Sequence, residues 1–185
     1  MMMGRYSFTI ISAILMGLAQ HPIGLGFFAL FALVPIFFVL EDNLSFRDVL
    51  SVGFVWGFVY SIITVYWIAF NIGTSPLIAF VTMILSVLVL SANTMLIFII
   101  WNSIRGYSQL LRQFLFAFTW CCIEYVRSFG LLGFPWISIA NTQTDYLTII
   151  QNAELVGIYG ITFWIILVNL SAPPFCFLQD KFLFL

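Results

Sequence analysis

Glu124 and Arg127 stand three residues apart in an otherwise apolar run, "FLFAFTWCCIEYVRSF", at positions 114–129. At that spacing two side chains share one helix face and can pair. An ionisable pair inside an apolar helix is a functional candidate by default. Here the better reading is a structural ion pair that neutralises both charges near an interface and anchors the segment that follows. That segment is "GFPWISIANTQTD", a Gly133-Phe134-Pro135-Trp136 turn followed by the polar run Asn141, Thr142, Gln143, Thr144 and Asp145. The mixture suits an interfacial binding loop. It equally suits a plain connection with Trp136 and Tyr146 among lipid headgroups, where such aromatics are enriched.

Little else in the chain has a pattern that supports chemistry. Cys121 and Cys122 are adjacent and Cys176 is remote, which gives neither a disulfide framework nor a metal spacing. They read as membrane thiols. His21 precedes Pro22 in a tight turn, and no second histidine could share a metal with it. It reads as a capping or headgroup-contact residue. Asn93, inside an apolar stretch, is expected to hydrogen-bond a neighbouring helix. Asn71 and Trp67 sit together where another apolar stretch ends, and could line the same surface as the 133–145 loop. No catalytic residue, metal or cofactor is implied.

The elements that must position these residues follow from composition. The 185 residues are 63% hydrophobic and 7% charged, with a mean hydropathy of +1.15. So few charges cannot cover a water-facing surface, so hydrocarbon must be the main solvent. A net charge of −1 leaves no basic footprint for a nucleic acid. The reading is an all-α integral membrane protein, one bundle of about six transmembrane helices. They lie near 3–19, 25–40, 49–72, 77–101, 114–129 and 155–177, separated by proline, glycine or acidic breaks. The first is read as an uncleaved helix rather than a signal peptide. With simple alternation Arg5, Arg47, Arg105, Arg112 and Lys181 share one side, and Arg127 alone falls on the other. Basic residues favour the cytoplasmic flank. Both ends are therefore expected in the cytoplasm. The breaks at His21 and Gly73 and the connection over 130–154, about 25 residues without evident secondary structure, are expected outside.

Four stretches resemble the apolipoprotein N-acyltransferases. "VGFVWGFVYSIITVYWIAFNIGT" at 52–74 resembles that family's third membrane helix, with its Gly-aromatic-x-Trp-Gly start. "EYVRSFGLLGFPWISIANTQTD" at 124–145 is similar to its Glu-aromatic-x-Arg, Gly-Phe-Pro-Trp and Gln-before-acid pattern. "LVGIYGITFWIILVN" at 155–169 looks like the segment opening its next helix, and "LAQHPIGLGFFALFALVPIFF" at 18–38 fits its first hairpin. The four occur in register over nearly the whole chain.

The resemblance implies an enzyme of the bacterial inner membrane. Such an enzyme moves a phospholipid acyl chain, through a cysteine thioester, to the N-terminal amine of a diacylglyceryl-lipoprotein. In the family that chemistry belongs to a Glu-Lys-Cys set in a nitrilase-like domain outside the membrane. The sequence departs there. Its only lysine is Lys181 and its cysteines lie in apolar runs, so no catalytic residue is carried over. The expectation is a membrane-domain fragment or truncated form, not catalytic alone. Its expected partners are phospholipid acyl chains, a diacylglyceryl-lipoprotein and a separate nitrilase-like domain. Residues 182–185 resemble the start of a seventh span. A stand-alone membrane scaffold or lipid-binding protein stays open as the alternative. In either case Gly133 and Pro135 would shape the loop, Phe134, Trp136 and Trp67 would meet lipid, and Gln143 would bond backbone or headgroup.

Overall fold

Ser45 starts the third helix. Its hydroxyl accepts the Asp48 amide at 3.2 Å, and the Asp48 carboxylate accepts the Ser45 amide at 3.3 Å. This reciprocal box satisfies amides that a helix start leaves without partners, and it sets the start at Phe46 rather than Val49. The computed structural model describes residues 2–130 and 133–172, and all regular structure among them is helical. The helices are α1 (Met2–Ala19), α2 (Val34–Leu40), α3 (Phe46–Val65), α4 (Pro76–Ser103), α5 (Gln109–Arg127), α6 (Leu147–Ile150) and α7 (Ala153–Leu170). Short 3-10 turns occupy Gly26–Leu30, Tyr66–Phe70, Pro135–Ile137 and Ile139–Gln143. Three helical stretches, Phe46–Phe70, Pro76–Ser103 and Ala153–Leu170, are long and apolar enough to cross a membrane.

Several expected boundaries change. The segment 25–40 is not one helix. It is a 3-10 turn and then α2, whose first turn holds Pro35. The break is tolerated because Asn169 of α7 takes the freed backbone groups. Its Oδ1 accepts the Leu33 amide and its Nδ2 donates to the Ala29 carbonyl, both at 2.8 Å. α3 gives way to the 3-10 turn after Val65, short of the expected Ile72. α7 ends at Leu170 rather than Phe177. Residues 173–177, with Cys176, and Lys181 lie outside the described residues. The 130–154 connection, expected to lack regular structure, contains two 3-10 turns and α6.

Contacts fix the directions. α1 and α3 run parallel: Arg5 meets Asp48 at 2.8 Å at their starts, and Gln20 meets Tyr60 at 2.9 Å near their ends. α3 and α4 run antiparallel along a Gly53-x-x-x-Gly57 stripe. A Cβ at Gly53 would lie 2.8 Å from the Met95 Cα, and one at Gly57 would lie 2.7 Å from the Ser91 Cα. Small residues at this spacing let two backbones approach closely, the packing mode of helices in lipid. Between the helices lies an aromatic core of Phe37, Trp56, Phe98, Trp101, Phe116 and Trp120, nearly all fully buried. The outward face of α4 is apolar too, with Leu77, Phe80, Leu85 and Val89 exposed, as suits hydrocarbon rather than water. One end of the bundle gathers charge. Besides Arg5–Asp48, Arg112 pairs with Glu41 at 3.1 Å, and Arg105 binds Asn43 at 2.8 Å and the backbone carbonyls of Leu40 and Asp42. The opposite end carries the 133–145 loop.

Candidate functional site

The middle of that loop enters the bundle. Ile137, Ser138, Ile139, Ala140, Thr142 and Gln143 are all buried. A non-helical backbone inside an apolar bundle exposes amides and carbonyls that must find partners, and three helices and the turn after α1 supply them. From α5, Glu124 accepts the Ile139 amide at 2.9 Å, the Ser138 hydroxyl at 2.5 Å and the Trp120 indole N–H at 3.2 Å. From α7, the Thr162 hydroxyl donates to Glu124 at 3.0 Å and accepts the Ala140 amide at 3.1 Å. From α3, the Tyr60 hydroxyl donates to the Ile137 carbonyl at 3.0 Å. Just after α1, the Gln20 amide donates to the Ser138 carbonyl at 3.0 Å and to Tyr60 at 2.9 Å. Gln143 Nε2 then bonds the Gly26 carbonyl at 2.9 Å. The chains meet so closely there that a Cβ on Gly26 would lie 1.8 Å from the Thr142 carbonyl oxygen.

The expected Glu124–Arg127 ion pair does not form. The ion pairs among the described residues are Arg5–Asp48 and Arg112–Glu41, and the His21 ring lies 3.6 Å from the Asp145 carboxylate. The carboxylate is instead occupied by buried donors from the loop and α7, which would be costly to leave unbonded. Arg127 keeps its Nε and one terminal nitrogen buried without a hydrogen-bond partner. Asn93, expected to bond a neighbouring helix, makes no side-chain hydrogen bond among the described residues. It lines a cavity of about 10 Å³ beside Glu124, Arg127 and Tyr60.

Above the buried loop the structure brings the aromatic candidates together. Trp67, at the end of the α3 rod, and Trp136 have ring centroids 5.8 Å apart, and Phe134 lies 5.4 Å from Trp136. Trp136 is 64% exposed. With His21, Pro22, Thr64 and Ile137, the two tryptophans wall an open cleft of about 370 Å³. His21 closes one side by bonding Thr144 at 2.7 Å, with Asp145 at 3.6 Å. Gly133 stands where a Cβ would lie 2.8 Å from the Ser128 carbonyl oxygen, and Pro135 opens a 3-10 turn. Asn71 bonds the Gly73 amide at 2.9 Å, within its own turn. Cys121 donates to the Tyr159 carbonyl at 3.2 Å, a packing contact inside the bundle.

Sequence reasoning missed Gln20, Tyr60, Ser138, Thr162 and Gly26, which hold the loop. Their signal was weak. Gln20 and Thr162 are isolated polar residues beside apolar runs, each with many possible partners.

The profile of the family described as apolipoprotein N-acyltransferase N-terminal domain matches residues 12–171. Curated relatives bear the name apolipoprotein N-acyltransferase. One from Geobacter metallireducens is 31% identical over 170 residues, covering 89% of this chain and 32% of its own. Those from Rickettsia bellii and Rickettsia prowazekii are 27% and 29% identical, covering 89% and 87% of this chain and 34% and 33% of theirs. The chain thus spans about a third of the length of these relatives. The matched residues hold the buried loop, the side chains that bond it and the tryptophan cleft, and the chain belongs to the apolipoprotein N-acyltransferase N-terminal domain family.

Proposed function

We propose that this chain is the membrane platform of an apolipoprotein N-acyltransferase, serving lipoprotein maturation by holding lipid beneath a nitrilase-like catalytic domain. Its six apolar segments, the second of them broken between its 3-10 turn and α2, cross the bacterial inner membrane, with both ends in the cytoplasm and the 133–145 loop outside. The observation that carries this reading is the Trp67–Trp136 cleft. Its exposed aromatic walls stand on a loop that five side chains, Gln20, Tyr60, Glu124, Gln143 and Thr162, hold in place. Tryptophan and phenylalanine at a bundle end suit the boundary between acyl chains and headgroups. A rigid base keeps the cleft open against the cost of ordering it during binding. The side chains of the platform position an acyl chain or a diacylglyceryl group. The covalent acyl transfer needs a thiolate and base that these residues do not assemble.

A chimera tests this. Residues 12–171 replace the matching part of the Geobacter metallireducens relative, and N-acylation of a lipoprotein is read by mass spectrometry in cells lacking their own enzyme. The chimera is expected to acylate, and Trp67→Ala with Trp136→Ala to reduce the yield. The purified chain alone, incubated with phosphatidylethanolamine, is expected to gain no hydroxylamine-sensitive acyl group. A folded chimera without acylation, or an acylated isolated chain, overturns the reading.

A further inference from the structure

Ser61 differs from other helical hydroxyls of the bundle. Thr9, Ser86, Ser91 and Ser103 each donate to the carbonyl four residues earlier, at 2.6 to 2.9 Å. Ser61 is 1% exposed, and its Oγ makes no such bond and has no other partner. A buried hydroxyl in that state is unfavourable. Its place is set by the α3–α4 seam. It is the next small residue after Gly53 and Gly57 at the same four-residue spacing, toward the loop end of α3. There Ser61 lines the cavity of about 10 Å³, together with Asn93 of α4 and with Ile137 and Ile139 of the loop.

Most polar groups around that cavity are already spent. Trp56 donates to Ser12, Tyr60 to the Ile137 carbonyl and Thr94 to the Leu90 carbonyl. One Glu124 oxygen accepts from Trp120 and Ile139 and the other from Ser138 and Thr162, which fills the capacity of a carboxylate. Three groups are left: the Ser61 hydroxyl, the half-buried Asn93 amide and the N–H groups of the half-buried Arg127. A guanidinium only donates, so a ligand that bonds all three must accept. The Asn93 amide oxygen only accepts, so the ligand must also donate. A metal cation would meet the Arg127 charge with only two free side-chain oxygens, and an anion would meet the Glu124 carboxylate. Water accepts and donates, the cavity has about the room of one water molecule, and cavities that stay dry are apolar.

We infer that this cavity is the site of one structural water, which bridges Ser61 of α3 to Asn93 of α4 and accepts from Arg127 of α5 beneath the buried loop. The inference goes beyond the membrane-platform reading and does not depend on it. It gives the α3–α4 seam two parts. At Gly53 and Gly57 the backbones touch. One turn further on, where the seam reaches the loop, a water joins the helices in place of direct contact. A bridging water is nearly as good as a direct hydrogen bond, and polar bonds of this kind hold helices together in lipid.

Pulsed X-ray footprinting of the purified chain in maltoside micelles tests the site. X-rays split bound water into hydroxyl radicals where it sits, and these oxidise the side chains beside it. Trp56 and Trp120 line the cavity, whereas Trp101 is as deeply buried and does not. Trp56 and Trp120 are expected to oxidise several-fold faster than Trp101. Equal rates overturn the inference, and this comparison needs no variant. Ser61→Val fills the space and Asn93→Leu removes a partner, and each is expected to slow both tryptophans to the rate of Trp101. Fast oxidation persisting in either folded variant overturns the inference. Melting temperatures in detergent give a second reading. Loss of either partner releases the same water, so Ser61→Ala combined with Asn93→Leu is expected to shift the melting temperature no further than the larger single shift. A double shift equal to the sum of the singles also overturns the bridge. Acyl transfer is not read, so a failed chimera and a dry cavity are separate results.

Discussion

The Ser138 hydroxyl donates to the Glu124 carboxylate at 2.5 Å, across fourteen residues of chain. Through this bond and its neighbours, α5 holds the loop that follows it. Glu124 is 3% exposed and takes two N–H donors besides the hydroxyls, from Ile139 and the Trp120 indole.

Removing that carboxylate should therefore cost more than removing the cation beside it. Glu124→Leu leaves two buried N–H groups without an acceptor, at about 1–3 kcal/mol each. A loss of about 3 kcal/mol in detergent unfolding is expected, with a smaller loss for Glu124→Gln, which keeps one acceptor oxygen. Arg127→Met removes an unpaired charge and should cost no more than about 0.5 kcal/mol. Similar losses for Glu124→Leu and Arg127→Met would revive the ion pair.

The contrast shows what the sequence could and could not convey. α1 and α4 follow from apolar length and from boundary residues such as Ser75-Pro76, which are local signals. The meeting of Trp67 with the 133–145 loop is signalled only by their shared position at segment ends. The Glu124 contacts were out of reach. Spacing on one helix offers Arg127 as the partner, whereas the actual partners come from a loop fourteen residues on and a helix 38 residues on. The depth of the loop was hidden for the same reason: Asn141 to Asp145 read as part of an interfacial connection. Thr142 and Gln143 are buried because Gly26 lets the backbone pass.

Gly26 gives the second prediction. Any side chain there collides with the backbone carbonyl of Thr142, which cannot rotate aside. Gly26→Ala should separate the two segments and break the Gln143–Gly26 bond. Ala140 is fully buried, so an Ala140→Cys reporter should resist a water-soluble maleimide while Gly26 is intact. It should react readily once Gly26→Ala is added. Protection in both backgrounds would mean that the loop is held without this contact.

The proposed orientation gives the third. Asp145 is exposed beside the cleft, and Tyr107 is exposed in the turn between α4 and α5. With Cys121, Cys122 and Cys176 replaced by alanine, Asp145→Cys should label from outside intact spheroplasts. Tyr107→Cys should label only after lysis. The reverse pattern would put the tryptophan cleft on the cytoplasmic face and remove its access to an outer catalytic domain.

The α3–α4 seam gives the fourth, in which two effects oppose each other and the sign decides. Replacing a mid-helix glycine by alanine ordinarily stabilises a helix, by about 0.5–1 kcal/mol. At Gly57 the new Cβ would meet the Ser91 Cα at 2.7 Å and the Thr94 Oγ1 at 2.9 Å. The first is backbone, so relief requires α3 and α4 to move apart along their length. Overpacking of this kind costs about 1–3 kcal/mol, which exceeds the propensity gain. Gly57→Ala should therefore lower stability in detergent unfolding. Gly4, with nothing within 4 Å of its would-be Cβ, is the control, and Gly4→Ala should be neutral or slightly stabilising. The displacement should also reach the cleft, because Trp67 is carried on the end of the α3 rod and contacts Trp136 at 5.8 Å. If Gly57→Ala stabilised the protein as much as the control, close backbone approach would not be what holds α3 to α4, and Trp67 would owe its position to the loop alone.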